Sequence, residues 1–244
     1  TWIAPEWQEV YRELLGTANF DQTDRSLWEK LYTIDDKKIY EVKTALKKKL
    51  FVNIRKRLQS DMIDKHVSPR TLLNISTHLN DKALTIGFAR RFATYKRASL
   101  LFRDMDRLAR IVNDPDRPVQ FIYAGKAHPH DGGGQDLIKR IVEISQMPQF
   151  TGKVLFLENY DIELAKRLIQ GVDIWLNTPA RPLEASGTSG EKAVMNGVLH
   201  LSVLDGWWVE GYKEGAGWAL QQESTYQDQN SQDELDAATL YNLI

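Results

Sequence analysis

The stretch Val119-Gln120-Phe121-Ile122-Tyr123-Ala124-Gly125, then Lys126-Ala127-His128-Pro129-His130-Asp131-Gly132-Gly133-Gly134, then Gln135 to Gln146, holds one complete structural unit. A short apolar run with β-branched and aromatic side chains, bounded by turn residues, reads as a buried strand. The glycine-rich run after it reads as a flexible turn, and Asp136 to Gln146 follows a helical period. The same grammar extends in both directions. Upstream, Ala83 to Phe88 is a β-like run and Tyr95 to Val112 is helical. Downstream come Val154 to Leu157 (strand), Asp161 to Gln170 (helix), Val172 to Leu176 (strand), Glu191 to Gly197 (helix) and Val198 to Val203 (strand). Strands alternating with helices predict an α/β fold with a parallel, doubly wound sheet. Such a sheet binds ligands at the carboxyl ends of its strands.

The first eighty residues read as helices. Asp24 precedes a run with Leu27, Trp28 and Leu31, and Lys37 to Leu58 carries Ile39, Val42, Leu46, Leu50, Ile54 and Leu58 as one apolar stripe. Its other face is basic (Lys43, Lys47, Lys48, Lys49, Arg55, Lys56, Arg57), and we read it as a solvated helix face rather than a site for an anionic partner. Gln221 to Asp236 is polar and acidic and reads as loop, and the chain stops at Ile244 within a helical pattern.

Composition narrows the function classes. Within 244 residues, Lys+Arg 32 nearly balances Asp+Glu 33, so no global field draws the chain to nucleic acid or a membrane. No cysteine is present, which excludes disulfides, thiolate metal sites and a thiol nucleophile. No apolar run reaches the ~18 residues of a membrane-spanning helix. The opening Thr1-Trp2-Ile3-Ala4-Pro5 has neither an initiator Met nor a signal-peptide layout, so it reads as the interior of a longer, cytoplasmic protein.

Two stretches carry chemistry. In Gly87-Phe88-Ala89-Arg90-Arg91-Phe92-Ala93-Thr94-Tyr95-Lys96-Arg97, four cations cluster at a strand's carboxyl end, a pattern that favours phosphate binding over ordinary surface charge. In Arg181-Pro182-Leu183-Glu184-Ala185-Ser186-Gly187-Thr188-Ser189-Gly190-Glu191-Lys192, small residues let the backbone curl into an anion-binding nest ahead of a lysine. That lysine can condense with an aldehyde cofactor such as pyridoxal phosphate, or it can be solvated beside a capped turn; the residues alone leave both open. Glu158-Asn159-Tyr160 follows the third strand on the ligand side. His128 and His130 lack the carboxylates of a metal site, so no metal is expected. Trp207 and Trp208 suit either sugar stacking or the core.

Together these residues resemble the α-glucan (glycogen, maltodextrin, starch) phosphorylase family over essentially the whole chain. Glu184 to Thr188, followed four residues later by Lys192, is similar to the family's cofactor-lysine motif, with Ser189-Gly190-Glu191-Lys192 where the family has Gly-Asn-Met-Lys. Arg91 with Tyr95-Lys96-Arg97 resembles the phosphate-site segment, with Arg90 where Lys is common. Phe156 to Tyr160 resembles the third-strand motif, with Asp161 where many members have Arg. Asp205-Gly206 with Val209-Glu210 completes the match, and Gly206 to Tyr212 looks more like the shorter bacterial and archaeal branch than the animal enzymes.

The resemblance implies a Rossmann-like C-terminal lobe of a two-lobed glycosyltransferase of the B type. Residues 1–80 would form a helical lead-in packed on the lobe, and residues 81–244 a cofactor- and phosphate-binding domain truncated at its C-terminus. Pyridoxal phosphate would be covalently held by Lys192, with Thr188, Ser189, Tyr160 and Arg90 completing the cofactor-binding set. Arg91 and Lys96 would be catalytic, holding the substrate phosphate, while Glu184, Ser186 and Gly187 would contact the terminal glucose. The reaction would be retaining phosphorolysis of α-1,4-glucan by inorganic phosphate to glucose-1-phosphate. It would need the N-terminal lobe of the same protein, so the fragment alone would be inactive, and the parent would be a homodimer candidate. The rival readings are a nucleotide-sugar glycosyltransferase lobe and a non-catalytic glucan-binding domain using Trp207 and Trp208.

Overall fold

A computed structural model describes residues 1–17, 20, 23–64, 66, 68–220 and 228–244, with the backbone alone at 62–64. Six strands form one parallel sheet: β1 (Leu84–Arg91), β2 (Val119–Lys126), β3 (Val154–Leu157), β4 (Ile174–Asn177), β5 (Leu199–Val203) and β6 (Gly217–Leu220). Their order is β3-β2-β1-β4-β5-β6. The chain thus winds outward from β1 to β3 and crosses back to β4 beside β1, creating a crevice at the carboxyl ends of β1 and β4. The fold is Rossmann-like and doubly wound.

Both faces of the sheet are covered. Phe88, Phe121 and Tyr123 pack with α5 (Met105–Val112), α6 (Gly132–Ser145) and α10 (Gln229–Leu243), through Leu108, Ile141, Ile144 and Leu240. Ala89, Ile122 and Trp175 face α3 (Asp36–Asp64), α7 (Ile162–Gly171) and α8 (Thr188–Val194), through Leu50, Ile54, Leu164, Leu168 and Ala193. Burial on both sides explains why the central strands read as near-continuous apolar runs rather than as alternation. Ahead of the sheet, α1 (Pro5–Leu15), α2 (Arg25–Glu29) and α4 (Pro69–His78) accompany α3, and Trp7 and Tyr11 of α1 pack on Val42 and Leu46. No helix among the described residues is long and apolar enough to cross a membrane.

Four expectations need correction. Tyr95 to Val112 is not one helix but two short 3₁₀ turns, Thr94–Lys96 and Leu100–Phe102, followed by α5. Arg97 takes a left-handed conformation (φ 48) and its guanidinium reaches the carbonyls of Thr178 (2.9 Å) and Pro179 (3.0 Å), which ends the first turn. Asp104 then starts α5 afresh by accepting from the Arg107 N–H. Gly132 to Gly134 is not a flexible turn but the first turn of α6, capped by Asp131. A side chain at Gly134 would place Cβ 2.4 Å from the Phe92 carbonyl, so close approach rather than flexibility requires glycine there. The segment expected as acidic loop is helical from Gln229, where Asp228 caps α10, while 221–227 lie outside the described residues. Finally, part of the basic face of α3 is a docking surface, while Lys48, Lys49, Arg55 and Lys56 are exposed as a solvated face would be. Lys43 donates to the carbonyls of Gln170 and Val172, Lys47 to Ala83 O and to Asp173 (2.5 Å), and Arg57 to Asp161 (2.8 Å). Asp173 also accepts from the Thr85 N–H, so one carboxylate ties α3 to the starts of β1 and β4.

Two predictions follow from this packing. Fully buried Asn196 accepts from Ala4 N–H (2.8 Å) and donates to the carbonyls of Trp2 (3.0 Å) and Lys192 (2.7 Å). Asn196→Ala removes all three bonds, at roughly 1 kcal/mol each, and is expected to cost about 2–3 kcal/mol in urea unfolding while hydrogen exchange speeds up in α1. Burial pulls the Lys43 ammonium down to about 8, against the opposing pull of Asp173 and with the help of Lys47. Below that value the folded chain carries a disfavoured charge. Between about pH 8 and the ordinary lysine value near 10.4 the unfolded chain binds the extra proton, so this residue's contribution to stability rises with pH. Relative to Lys43→Met, the wild-type unfolding free energy should therefore gain from pH 8 to pH 10; no change in the difference would refute it.

Candidate active site at the crevice

The loops after β1, β4 and β5 converge at the crevice, and one carboxylate organises them. Glu184, in the loop between β4 and α8, is 8% exposed. Its Oε2 accepts from Lys96 Nζ at 2.5 Å and pairs with Arg90 Nη1 at 3.3 Å. Arg90 ends the buried part of β1, and Lys96 lies in the 3₁₀ turn after it. Burial pulls the Arg90 guanidinium below its ordinary value, with Glu184 opposing. The Glu184 N–H donates to Asp205 Oδ2 (2.9 Å), and the other Asp205 oxygen accepts from Gly206 N–H (3.0 Å). Trp207 N–H donates to Ser186 O (2.8 Å). The loop after β4 is thereby clamped on the loop after β5. Gly206 (φ 56) is required by that clamp, because a Cβ would stand 2.4 Å from Ser186 O.

Gly187 (φ 81) turns the chain into α8 with its α-carbon face toward Glu184 and Asn177. Asn177 donates to Ser202 Oγ (3.0 Å), yet its own Oδ1 is buried without a partner. Arg90 Nε and Trp207 Nε1 are also buried and unpartnered. Buried polar atoms are normally paired, so these unmet donors and the acceptor set the wall apart from an ordinary packed core.

The structure joins Arg90, Lys96, Glu184, Ser186 and Gly187 into this one wall. Arg91, the last residue of β1, is exposed and forms no ion pair among the described residues. Tyr160 follows β3 half-buried; burial raises its phenol above the ordinary value, and Arg90 opposes. Thr188 is exposed at the start of α8, and the Ser189 hydroxyl accepts from Trp175 Nε1 (3.2 Å), which leaves its own O–H to donate. Lys192 has no carboxylate partner among the described residues; its ammonium lies 4.3 Å from the Trp2 ring centroid.

Other expectations are revised. Arg97 belongs to the structure rather than to a phosphate cluster: beyond its two carbonyl contacts it pairs with Asp233 (2.9 Å) and Asp236 (2.7 Å) of α10. Asp161 caps α7 through Leu164 N–H (2.7 Å) and pairs with Arg57. Trp208 is 1% exposed and so belongs to the core, whereas Trp207 is half-buried with one face against His200. His128 and His130 stay in the loop after β2, with His130 N–H donating to His128 Nδ1. Sequence reasoning missed Trp2, Asn177 and His200. Only Asn177 carried a signal, as a polar residue closing an apolar strand at its carboxyl end.

Comparison with known proteins identifies the family. The family model described as carbohydrate phosphorylase matches residues 3–217. The chain is 44% identical to a glycogen phosphorylase of Aquifex aeolicus, across all of this chain and 35% of that protein. It is 43% identical to a maltodextrin phosphorylase of Thermococcus litoralis, across 29% of that protein. It is 41% identical to a glycogen phosphorylase of Mycobacterium tuberculosis, across 28% of that protein. The chain thus spans about a third of the length of these three relatives. Strand order, crevice and matched residues lead to one assignment: the chain belongs to the carbohydrate phosphorylase family.

Proposed function

We propose that the parent protein carries out retaining phosphorolysis of the terminal α-1,4-linked glucose of a glucan, releasing glucose-1-phosphate, and that this chain is its cofactor-carrying, C-terminal lobe of the glycosyltransferase-B architecture. The observation that carries this reading is the Lys96–Glu184–Arg90 cluster, which sets a sugar-binding carboxylate directly beside cations suited to phosphate. In this reading residues 1–80 are the lead-in, residues 81–244 the binding lobe, and the protein is cytoplasmic.

Each residue then has a task. Glu184, with Ser186 and Gly187, meets the hydroxyls of the terminal glucose. Lys96 retains donors beyond the one given to Glu184, because an ammonium has three, and it holds inorganic phosphate together with the free Arg91. Arg90 neutralises the buried charge behind them.

The residues also fit pyridoxal phosphate. Lys192 is unpaired by any carboxylate among the described residues and lies against the Trp2 ring, and the donor Arg90 Nε is unmet in the crevice wall. Lys192 would hold the cofactor covalently, Thr188 and the backbone N–H of Ser189 its phosphate, and Tyr160 would pack beside it. When bound, the cofactor supplies a second phosphate that exchanges a proton with inorganic phosphate. The N-terminal lobe of the relatives' longer chains would complete the glucan site, so this chain alone would not turn over.

Two measurements test the reading. Incubation with pyridoxal phosphate and borohydride should add one pyridoxal mass on the peptide containing Lys192, and Lys192→Ala should take up none. In the full-length parent the same substitution should reduce glucose-1-phosphate release by about three orders of magnitude or more, as expected when a group needed for the transition state is lost. Uptake at another lysine, or undiminished release, would sink it. Separately, Glu184→Ala leaves two buried cations without their carboxylate, at a cost of about 3–5 kcal/mol. Inorganic phosphate should then raise the melting temperature of Glu184→Ala more than that of wild type, since the anion replaces the missing charge.

A further inference from the structure

His200 lies on β5, opposite Trp175 in the parallel register, and is fully buried. Its ring is stacked on Trp207 (centroids 5.4 Å, interplanar angle 27°) and meets Trp208 edge-on (4.7 Å, 84°). The backbone of Trp175 is close enough to favour the protonated ring slightly, but burial dominates, Arg90 adds to it, and the imidazole stays neutral, pulled down to about 3. Beyond that approach of the Trp175 backbone, neither ring nitrogen meets a partner among the described residues, and Trp207 Nε1 likewise has none. A buried polar ring so sparsely partnered is an expensive way to fill space, so stability alone does not explain a histidine here.

What the two rings touch does explain it. A Cβ built on Gly190 would lie 2.6 Å from His200 Cε1, 2.7 Å from His200 Nε2 and 2.7 Å from Trp207 Nε1. Gly190 is buried in α8, two residues before Lys192, and its N–H closes the turn to Gly187 O (3.0 Å). Trp207 in turn donates its backbone N–H to Ser186 O. The stacked pair therefore supports the loop at both of its ends.

We propose that His200, stacked on Trp207, is a positioning residue: the two rings form the floor on which Gly190 rests and so set the placement of Lys192 and of the loop from Ser186 to Ser189. This rests on the reading of Lys192 as the cofactor lysine for its consequence, though not for its geometry. The flat imidazole leaves room for backbone but not for a Cβ, which makes glycine obligatory at 190. Helix propensity would favour alanine there, so the contact and the propensity predict opposite signs.

The test uses the chain as wild type, Gly190→Ala, His200→Ala and the double variant, with two readouts. Titration with pyridoxal phosphate should show Gly190→Ala binding about tenfold or more weaker than wild type, the scale expected for overpacking a close contact, and the double variant recovering part of that loss, since the contact with Trp207 Nε1 remains. Hydrogen exchange of the cofactor-free chain should show His200→Ala accelerating the peptide over residues 186–194 about tenfold while peptides from α5 and α6 keep wild-type rates. A merely structural role would speed exchange everywhere and give no rescue in the double variant. If wild type takes up no pyridoxal phosphate, the cofactor reading fails, and the exchange data still decide the positioning role. Unrescued loss in the double variant, a harmless Gly190→Ala, or exchange that rises throughout the chain would each overturn it.

Discussion

A single carboxylate oxygen, Glu184 Oε2, held between Lys96 and Arg90 away from water, is the interaction on which the crevice depends. A buried charge is tolerated only when its partners are in place. Lys96 and Arg90 come from the end of β1, Glu184 from the loop after β4, and Asp205, which fixes the Glu184 backbone, from the loop after β5. Three strand ends must therefore arrive in register before the charges can be buried together. Replacing such a cluster by well-packed apolar residues is often neutral or stabilising in proteins. Its presence at a strand-end crevice therefore points to what it can bind rather than to stability.

The fold was legible where burial on both sides wrote it into the residues. Val119 to Gly125 and Val154 to Leu157 could be read as strands because both faces of the sheet are covered. The failures have local causes. Arg97 breaks the helical period of Tyr95 to Val112 because its guanidinium is drawn to carbonyls 81 and 82 positions away in the chain. Glycines 132 to 134 imitate a turn, but the Asp131 cap and the contact at Phe92 make them a helix start. The last strand, β6, shows only partial burial of its first three residues, so no apolar pattern announced it.

The site divides in the same way. Arg90, Lys96 and Glu184 stood out because charge at the end of an apolar strand is unusual and topology gives it meaning. Trp2 and His200 did not, since their parts come from contacts with residues remote in sequence or on a neighbouring strand. The basic stripe of α3 misled in a different manner: cations that look solvated in a helical projection become caps for the carbonyls and the carboxylate at the opposite end of the sheet. Charge counting cannot distinguish a solvated lysine from one such as Lys47, whose target, Asp173, lies 126 positions later.

The Asn196 clasp has a consequence for how the chain is made. Ala4 and Asn196 are separated by 192 positions, and Trp2 and Asn196 by 194. Synthesis is vectorial, so α1 emerges well before Asn196, and its residues Trp7, Tyr11 and Leu15 lack that anchor until the intervening sheet has followed. Closing so large a loop is slow relative to forming the neighbouring strand–helix units. The α1 clasp therefore closes later than the strand–helix units that it spans.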